Sequence, residues 1–352
     1  MVDRIPVAVL GATGSVGQRF VQLLEGHPWF ELAAITGSER RVGQEFGETC
    51  HWILQEPMPE GAKSLVVKKT KPEGLDVPLV FSALPSGVAK QKEPLFASAG
   101  ITVCTNAGAF RQEPDVPVLL PEVNPEHARL VDVQRKLRGW DGCIVTNPNC
   151  TSTGVTIALK ALLDACGLSK VLAVSLQAIS GAGYPGVASL DILDNVIPHI
   201  SNEEPKFEWE PRKMLGSYDG DGIVLSDFVM STHCNRVAVS DGHLVCLSVE
   251  TKETVSVAEA VQILESYAAP EASAGLPSAP NPVISVCSDP DRPQPRLDRM
   301  TGKGMTTVVG RVREDAILGL KFIVLSHNTI RGAAGGSIYN AELLRSEGLL
   351  GI

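Results

Sequence analysis

Gly11-Ala12-Thr13-Gly14-Ser15-Val16-Gly17 follows the apolar run Ile5–Leu10 and leads into residues 16–24, whose apolar side chains recur at helical spacing. Glycines let a chain turn sharply out of a strand, and the free amides opening the next helix face an anion. A glycine triplet alone reads as a tight turn. With a strand before it and a helix after it, dinucleotide binding is the stronger reading. Gly11, Thr13, Gly14, Ser15 and Val16 are therefore the expected pyrophosphate loop, spaced G-x-x-G-x-x-G rather than G-x-G-x-x-G.

Outward from that loop, residues 30–35, 77–83 and 101–104 read as further buried strands with helical or loop crossovers between them. Such alternation predicts a Rossmann-type parallel sheet covered on both faces, an α/β domain over residues 1–149. An acid usually ends the second strand of an NAD site. Here the chain reads Thr36-Gly37-Ser38-Glu39-Arg40-Arg41. Ser38, Arg40 and Arg41 suit a 2′-phosphate, which favours NADP, although a solvated charged turn would look similar.

Beyond residue 149 the pattern changes. Residues 153–163 look helical, and 170–179, 237–239, 244–249, 306–313 and 316–325 look like strands. Residues 256–267 read as a helix with Ser256 and Glu259 at capping-box spacing. This predicts an α+β domain with a mostly antiparallel sheet over 150–327. A terminal helix within 328–352 would return to complete the first domain.

Net charge −9 among 352 residues, with sparse aromatics, argues against a nucleic-acid surface. Apolar stretches are strand-length, so no membrane span is expected. Met1-Val2-Asp3-Arg4-Ile5-Pro6 enters a strand directly and leaves no room for a signal peptide. The eight cysteines form no C-x-x-C pair, and the histidines are dispersed. Reduced thiols, a cytoplasmic location and no metal site are the expectations.

Asn147-Pro148-Asn149-Cys150-Thr151-Ser152-Thr153 sets a thiol just before a predicted helix, where amides and the helix dipole favour thiolate. Thiolate is the attacking species in covalent aldehyde chemistry. A cysteine at a helix start is more often inert packing, but Gly242-His243, with Arg236 upstream, adds a proton carrier and a cation. No G-x-S-x-G elbow suggests a serine hydrolase.

The stretches 147–151, Ser180-Gly181-Ala182-Gly183, Arg236-Val237-Ala238-Val239-Ser240-Asp241-Gly242-His243 and Asn328-Thr329-Ile330-Arg331-Gly332 together resemble aspartate-semialdehyde dehydrogenase. Pro295-Arg296-Leu297-Asp298-Arg299 with Gly304-Met305 looks like the archaeal and fungal branch. The resemblance implies NADPH-dependent reductive dephosphorylation of aspartyl 4-phosphate to the semialdehyde, in lysine, threonine, methionine and isoleucine biosynthesis. It implies that Cys150 carries an acyl-thioester, that His243 is general acid/base, and that Gln177 orients substrate and thiol. Arg236 would grip the α-carboxylate, which a planar guanidinium does bidentately. Glu210 would meet the ammonium, and Lys213 and Arg111 would bind phosphate. Without the resemblance, Glu210 and Lys213 read as a solvated helix face. Ser82 and Pro85 end a predicted strand, where nucleotide-binding loops gather in open parallel sheets, and Ser180, Gly181 and Asn328 are implied to lie near the cofactor's nicotinamide half. A homodimer or homotetramer is implied as well. Malonyl-CoA reductase and N-acetyl-glutamyl-phosphate reductase share the scaffold logic. A dinucleotide-binding paralogue without activity is a third possibility.

Overall fold

The computed structural model describes residues 4–351. Met1, Val2 and Asp3, on which the reading of a leaderless N-terminus rests, lie outside the described residues, as does Ile352.

Six strands build the first sheet: β1 (Ile5–Leu10), β2 (Phe30–Thr36), β3 (Val67–Lys68), β4 (Leu79–Ser82), β5 (Thr102–Thr105) and β6 (Cys143–Thr146). They run β3-β2-β1-β4-β5-β6, every neighbouring pair parallel. β4, β5 and β6 are buried throughout, as strands covered on both faces must be. Strand order reverses at β1, so a crevice opens beyond the C-terminal ends of β1 and β4. The glycine loop lies there, between β1 and helix α1 (Ser15–Leu24). Gly11 has φ +76°, and a Cβ on Gly17 would stand 2.2 Å from the Gly11 carbonyl oxygen. Both positions therefore demand glycine. Helix α2 (Ser86–Ser98) follows β4.

The second sheet uses β7 (Leu168–Gln177), β8 (Val229–Arg236), β9 (His243–Thr251), β10 (Ile284–Cys287), β11 (Thr307–Asp315) and β12 (Gly319–Ser326). Its order is β8-β7-β9-β12-β11-β10. The three inner pairings are antiparallel, whereas β8 on β7 and β10 on β11 are parallel. One face buries Val171, Ala173, Val245, Leu247 and Phe322 against α3 (Cys150–Cys166), α4 (Glu203–Met214) and α5 (Val257–Glu265). Ser256 caps α5, and the reciprocal bond from Glu259 completes the capping box. The final helix α6 (Gly335–Ser346) places Ile338, Ala341, Leu343 and Leu344 in the same core as Val7, Phe20 and Phe81.

The strand expected at 237–239 is instead β8, ending at Arg236. Its sequence VMSTHCNR alternates exposed and buried side chains, and its polar outward residues hid it from an apolar-run reading. The correction matters, because it puts Arg236 at a strand end. Arg236 pairs in register with Gln177, the last residue of β7, and His243 opens the antiparallel β9 beside them. Three site side chains thus share one edge of the second sheet. Cys150 opens α3 just beyond β6.

Candidate active site

Asn149 caps α3: its Oδ1 accepts from the amides of Thr151 (2.8 Å) and Ser152 (3.2 Å). Those amides are thus engaged by the cap rather than by the Cys150 thiol. Burial pushes that thiol up to about 12, and the Glu203 carboxylate adds to the shift, while Arg111 and Arg236 oppose it. Burial thus opposes the thiolate that the helix start favours, and Arg111 and Arg236 are the cations beside the sulfur that stabilise the anion.

His243 is buried and stands with Nε2 3.2 Å from Cys150 Sγ. On the far side of the ring, Nδ1 accepts the Ala178 amide at 3.0 Å. An acceptor nitrogen carries no proton, so the neutral ring bears its proton on Nε2, pointed at sulfur. Burial, then Arg236 and His327, pull the ring down to about 3, which keeps it neutral. The ring accordingly faces the reacting centre as a donor.

Arg236 is buried, and its Nη1 donates to the Ala178 carbonyl at 2.8 Å. A Cβ on Gly181 would approach this guanidinium to 2.8 Å and the His243 ring to 3.0 Å, so glycine there keeps the pocket open. Gln177 Nε2 donates to Ser175 Oγ at 3.3 Å and to Glu203 Oε1 at 3.1 Å. Glu203 also accepts from Asn149 Nδ2 at 2.9 Å and Thr151 Oγ1 at 3.3 Å through the same oxygen. Its other oxygen makes no hydrogen bond among the described residues.

The expected Glu210 and Lys213 lie behind the wall of the site, not on it. Glu210 accepts from Arg111 Nη1 at 2.9 Å and from the Asn149 amide at 2.6 Å. Lys213 Nζ donates to the carbonyls of Arg111, Glu113 and Val116, each at 2.8 Å. All three ammonium hydrogens are engaged, leaving none for a phosphate. In this arrangement the pair braces the 106–116 segment, and Glu203 is the carboxylate beside the thiol. Glu203-x-x-Lys206 repeats the spacing of Glu210-x-x-Lys213 seven residues earlier. Seven residues are two helical turns, so both acids share one face of α4 and spacing alone could not choose between them. Arg111 lines the thiol pocket while donating to the Asn147 and Asn106 carbonyls.

That pocket encloses ≈ 260 Å³ and includes Val16, Cys150, Ser180, Gly181 and Asn328 among its walls. Asn328 accepts from the Gly242 amide and donates to Ser180 Oγ, both at 2.8 Å. Ser15 lines an adjoining cavity of ≈ 430 Å³ that continues past Ser180. Gly14 caps α1 without a side-chain bond, leaving first-turn amides for an anion, so the loop fits a pyrophosphate. Thr13 packs beside Gly37, and Pro85 is exposed at the start of α2. Ser82 departs from expectation. It is fully buried, its hydroxyl turned to the Leu84 amide and to Glu93. A third cavity, ≈ 350 Å³, opens at Ser38 and Glu39, but Arg40 and Arg41 are not among its lining residues.

Residues 6–131 match the family described as semialdehyde dehydrogenase, NAD binding domain. Residues 159–331 match semialdehyde dehydrogenase, dimerisation domain. Aspartate-semialdehyde dehydrogenase of Archaeoglobus fulgidus is 52% identical over 347 residues, covering 99% of this chain and 100% of the relative. The Schizosaccharomyces pombe enzyme of that name is 45% identical, covering 98% and 99%. The crystal structure of aspartate semialdehyde dehydrogenase with NADP from Candida albicans superposes with TM-score 0.90 at 42% identity, covering 99% and 100%. The Vibrio cholerae aspartate semialdehyde dehydrogenase II, complexed with ASA, gives 0.76 at 26% identity, covering 97% and 98%.

Proposed function

The chain belongs to the aspartate-semialdehyde dehydrogenase family, and from that membership we propose that Cys150 carries the acyl group in NADPH-dependent reduction of aspartyl 4-phosphate, a step of amino-acid biosynthesis. The observation that carries this reading is the 3.2 Å approach of Cys150 Sγ to a histidine whose proton faces it.

The sulfur of Cys150 attacks the acyl carbon, forming the C–S bond as the C–O bond to phosphate breaks; phosphate leaves with the electron pair and takes up the thiol proton, which the thiolate released in the last step regains from water. Bound NADPH supplies the hydride that reduces the resulting thioester. His243 Nε2–H donates to the oxygen that gains negative charge at the tetrahedral stage, an electrostatic role worth several kcal/mol at roughly 3 Å. Collapse of the tetrahedral adduct returns the thiolate and releases the aldehyde. Arg236 clamps the α-carboxylate and the unbonded oxygen of Glu203 meets the ammonium, a reading supported by their position at the edge of the thiol site. Gln177 holds Glu203, and Arg111 adds positive charge beside the thiol, where phosphate departs.

Residues 1–149 with 328–352 serve the cofactor, and 150–327 serve catalysis and association. Association uses the second sheet's uncovered face, where Leu172, Val174, Val229 and Cys246 are exposed side by side on β7, β8 and β9. A closed symmetric dimer or tetramer would bury it. All eight cysteines are free, which suits the cytoplasm. No helix among the described residues is long and apolar enough to cross a membrane.

The test is an assay with aspartate semialdehyde, phosphate and NADP+ beside one with malonyl-CoA and NADPH. The first reaction should dominate, and Cys150→Ala should abolish it while NADP+ binding persists. Preference for malonyl-CoA, or full turnover without the thiol, contradicts the reading.

A further inference from the structure

β8 is an end strand of the second sheet, so one side of its backbone has no neighbouring strand. The amides of Thr232, Cys234 and Arg236 face that side, and strand amides without partners are costly. None of these amides is left bare. Glu208 Oε1 accepts from the Thr232 amide and Glu204 Oε1 from the Cys234 amide, each at 3.0 Å, and the Ile197 carbonyl accepts from the Arg236 amide at 2.9 Å. Both carboxylates belong to α4, which Phe207 anchors in the core. The spacings agree. Four helical residues rise about 6 Å and two strand residues about 6.6 Å, so Glu204 and Glu208, on one flank of α4, match alternate amides of β8. Helix and strand run in opposite directions, and the match therefore leads to Glu203 on the helix and Arg236 on the strand. Glu203 is the first residue of α4, where helices fray, and Asn202 before it has φ +56° and makes no side-chain capping bond. The start of α4 is thus held from its flank, by Glu204.

We propose that Glu204 and Glu208 are positioning residues: their carboxylates stand in for a neighbouring strand on β8 and so fix Glu203 against Arg236, which selects a substrate with ammonium and carboxylate on one carbon. The inference rests on the substrate reading of Glu203 and Arg236 and goes further by naming what sets their separation. Two charges on one carbon leave their partners little freedom, and a displacement of about 1 Å is enough to lose one contact while the other survives. Arg236 is held independently, by its bond to the Ala178 carbonyl and by the pairing of β8 with β7. A loosened α4 therefore costs the ammonium contact first.

Succinate semialdehyde lacks only the ammonium of aspartate semialdehyde, so the ratio of kcat/KM for the two aldehydes, with phosphate and NADP+, reads the Glu203 contact. The wild-type chain should prefer aspartate semialdehyde at least about tenfold, the return from one charged contact. In Glu204→Ala/Glu208→Ala that preference should fall about tenfold, with KM for NADP+ and for phosphate unchanged within about twofold. Glu204→Gln/Glu208→Gln keeps an acceptor oxygen at each position and should hold the preference within about threefold of wild type. Glu204→Ala alone should lose about threefold, and it carries the test if the double alanine variant fails to fold. A lowered Tm with the preference intact would reduce the pair to protection of the sheet edge and overturns the proposal. Equal loss of preference in the glutamine and alanine variants overturns it too. A wild-type chain that takes both aldehydes equally well overturns the ammonium reading of Glu203 itself, and the proposal with it.

Discussion

Glu203 and Lys213 sit on one helix and do opposite things. Glu203 presents a carboxylate oxygen free of hydrogen bonds beside the thiol, whereas Lys213 has all its hydrogens committed to three carbonyls. Burial pulls the Lys213 ammonium down to about 8, the mark of a cation held in the interior. Glu203→Gln should lower kcat/KM for aspartate semialdehyde by about 10- to 100-fold, since a hydrogen bond to a charged group contributes about 1.5–3 kcal/mol. Lys213→Met should behave differently. Leaving three buried carbonyls unpartnered should lower Tm by several degrees, with KM for phosphate changed less than about twofold. A raised phosphate KM at unchanged Tm would return Lys213 to the binding role that the sequence suggested. At this scale Cys150 and His243 could be singled out because each opens a predicted element, whereas Arg111 and the roles of Arg236 came only with the family resemblance. Glu203 could not be, because a heptad shift leaves a helical face unchanged.

Among the elements, the parallel sheet could be read from apolar runs punctuated by glycine, and the glycine loop placed itself. The edge strand β8 could not, since its outward polar side chains break every apolar run. Placing β8 gives the active site its geometry, with Gln177, Arg236 and His243 on one sheet edge. The same strands expose Leu172 and Val174 on the opposite face. A charge there should cost association but not folding. Val174→Asp is expected to shift sedimentation toward the monomer, with secondary structure retained by circular dichroism. Sedimentation identical to wild type would mean that another surface joins the subunits.

For the molecule as a whole, buried neutral histidines set the response to acid. Burial pulls His127 down to about 4, His243 to about 3 and His327 to about 4, against 6.5 when exposed. Each ring is uncharged in the fold and protonates once the chain unfolds. The unfolded state thus binds more protons between about pH 6.5 and 4, and stability falls as pH drops through that window. Three such rings give a slope of at most about 4 kcal/mol per pH unit. The urea midpoint should therefore fall markedly from pH 7 to pH 5. An unchanged midpoint would mean that the rings protonate within the fold.

The same neutrality shapes the chemistry, because a ring that already holds its proton toward sulfur donates to the reacting oxygen, and the acyl group must travel on Cys150. Mixing enzyme, NADP+ and aspartate semialdehyde without phosphate isolates that step. The covalent route predicts a burst of NADPH approaching one per active site, with an aspartyl mass on the Cys150 peptide. No burst, or a burst with the Cys150 peptide unmodified, would contradict it.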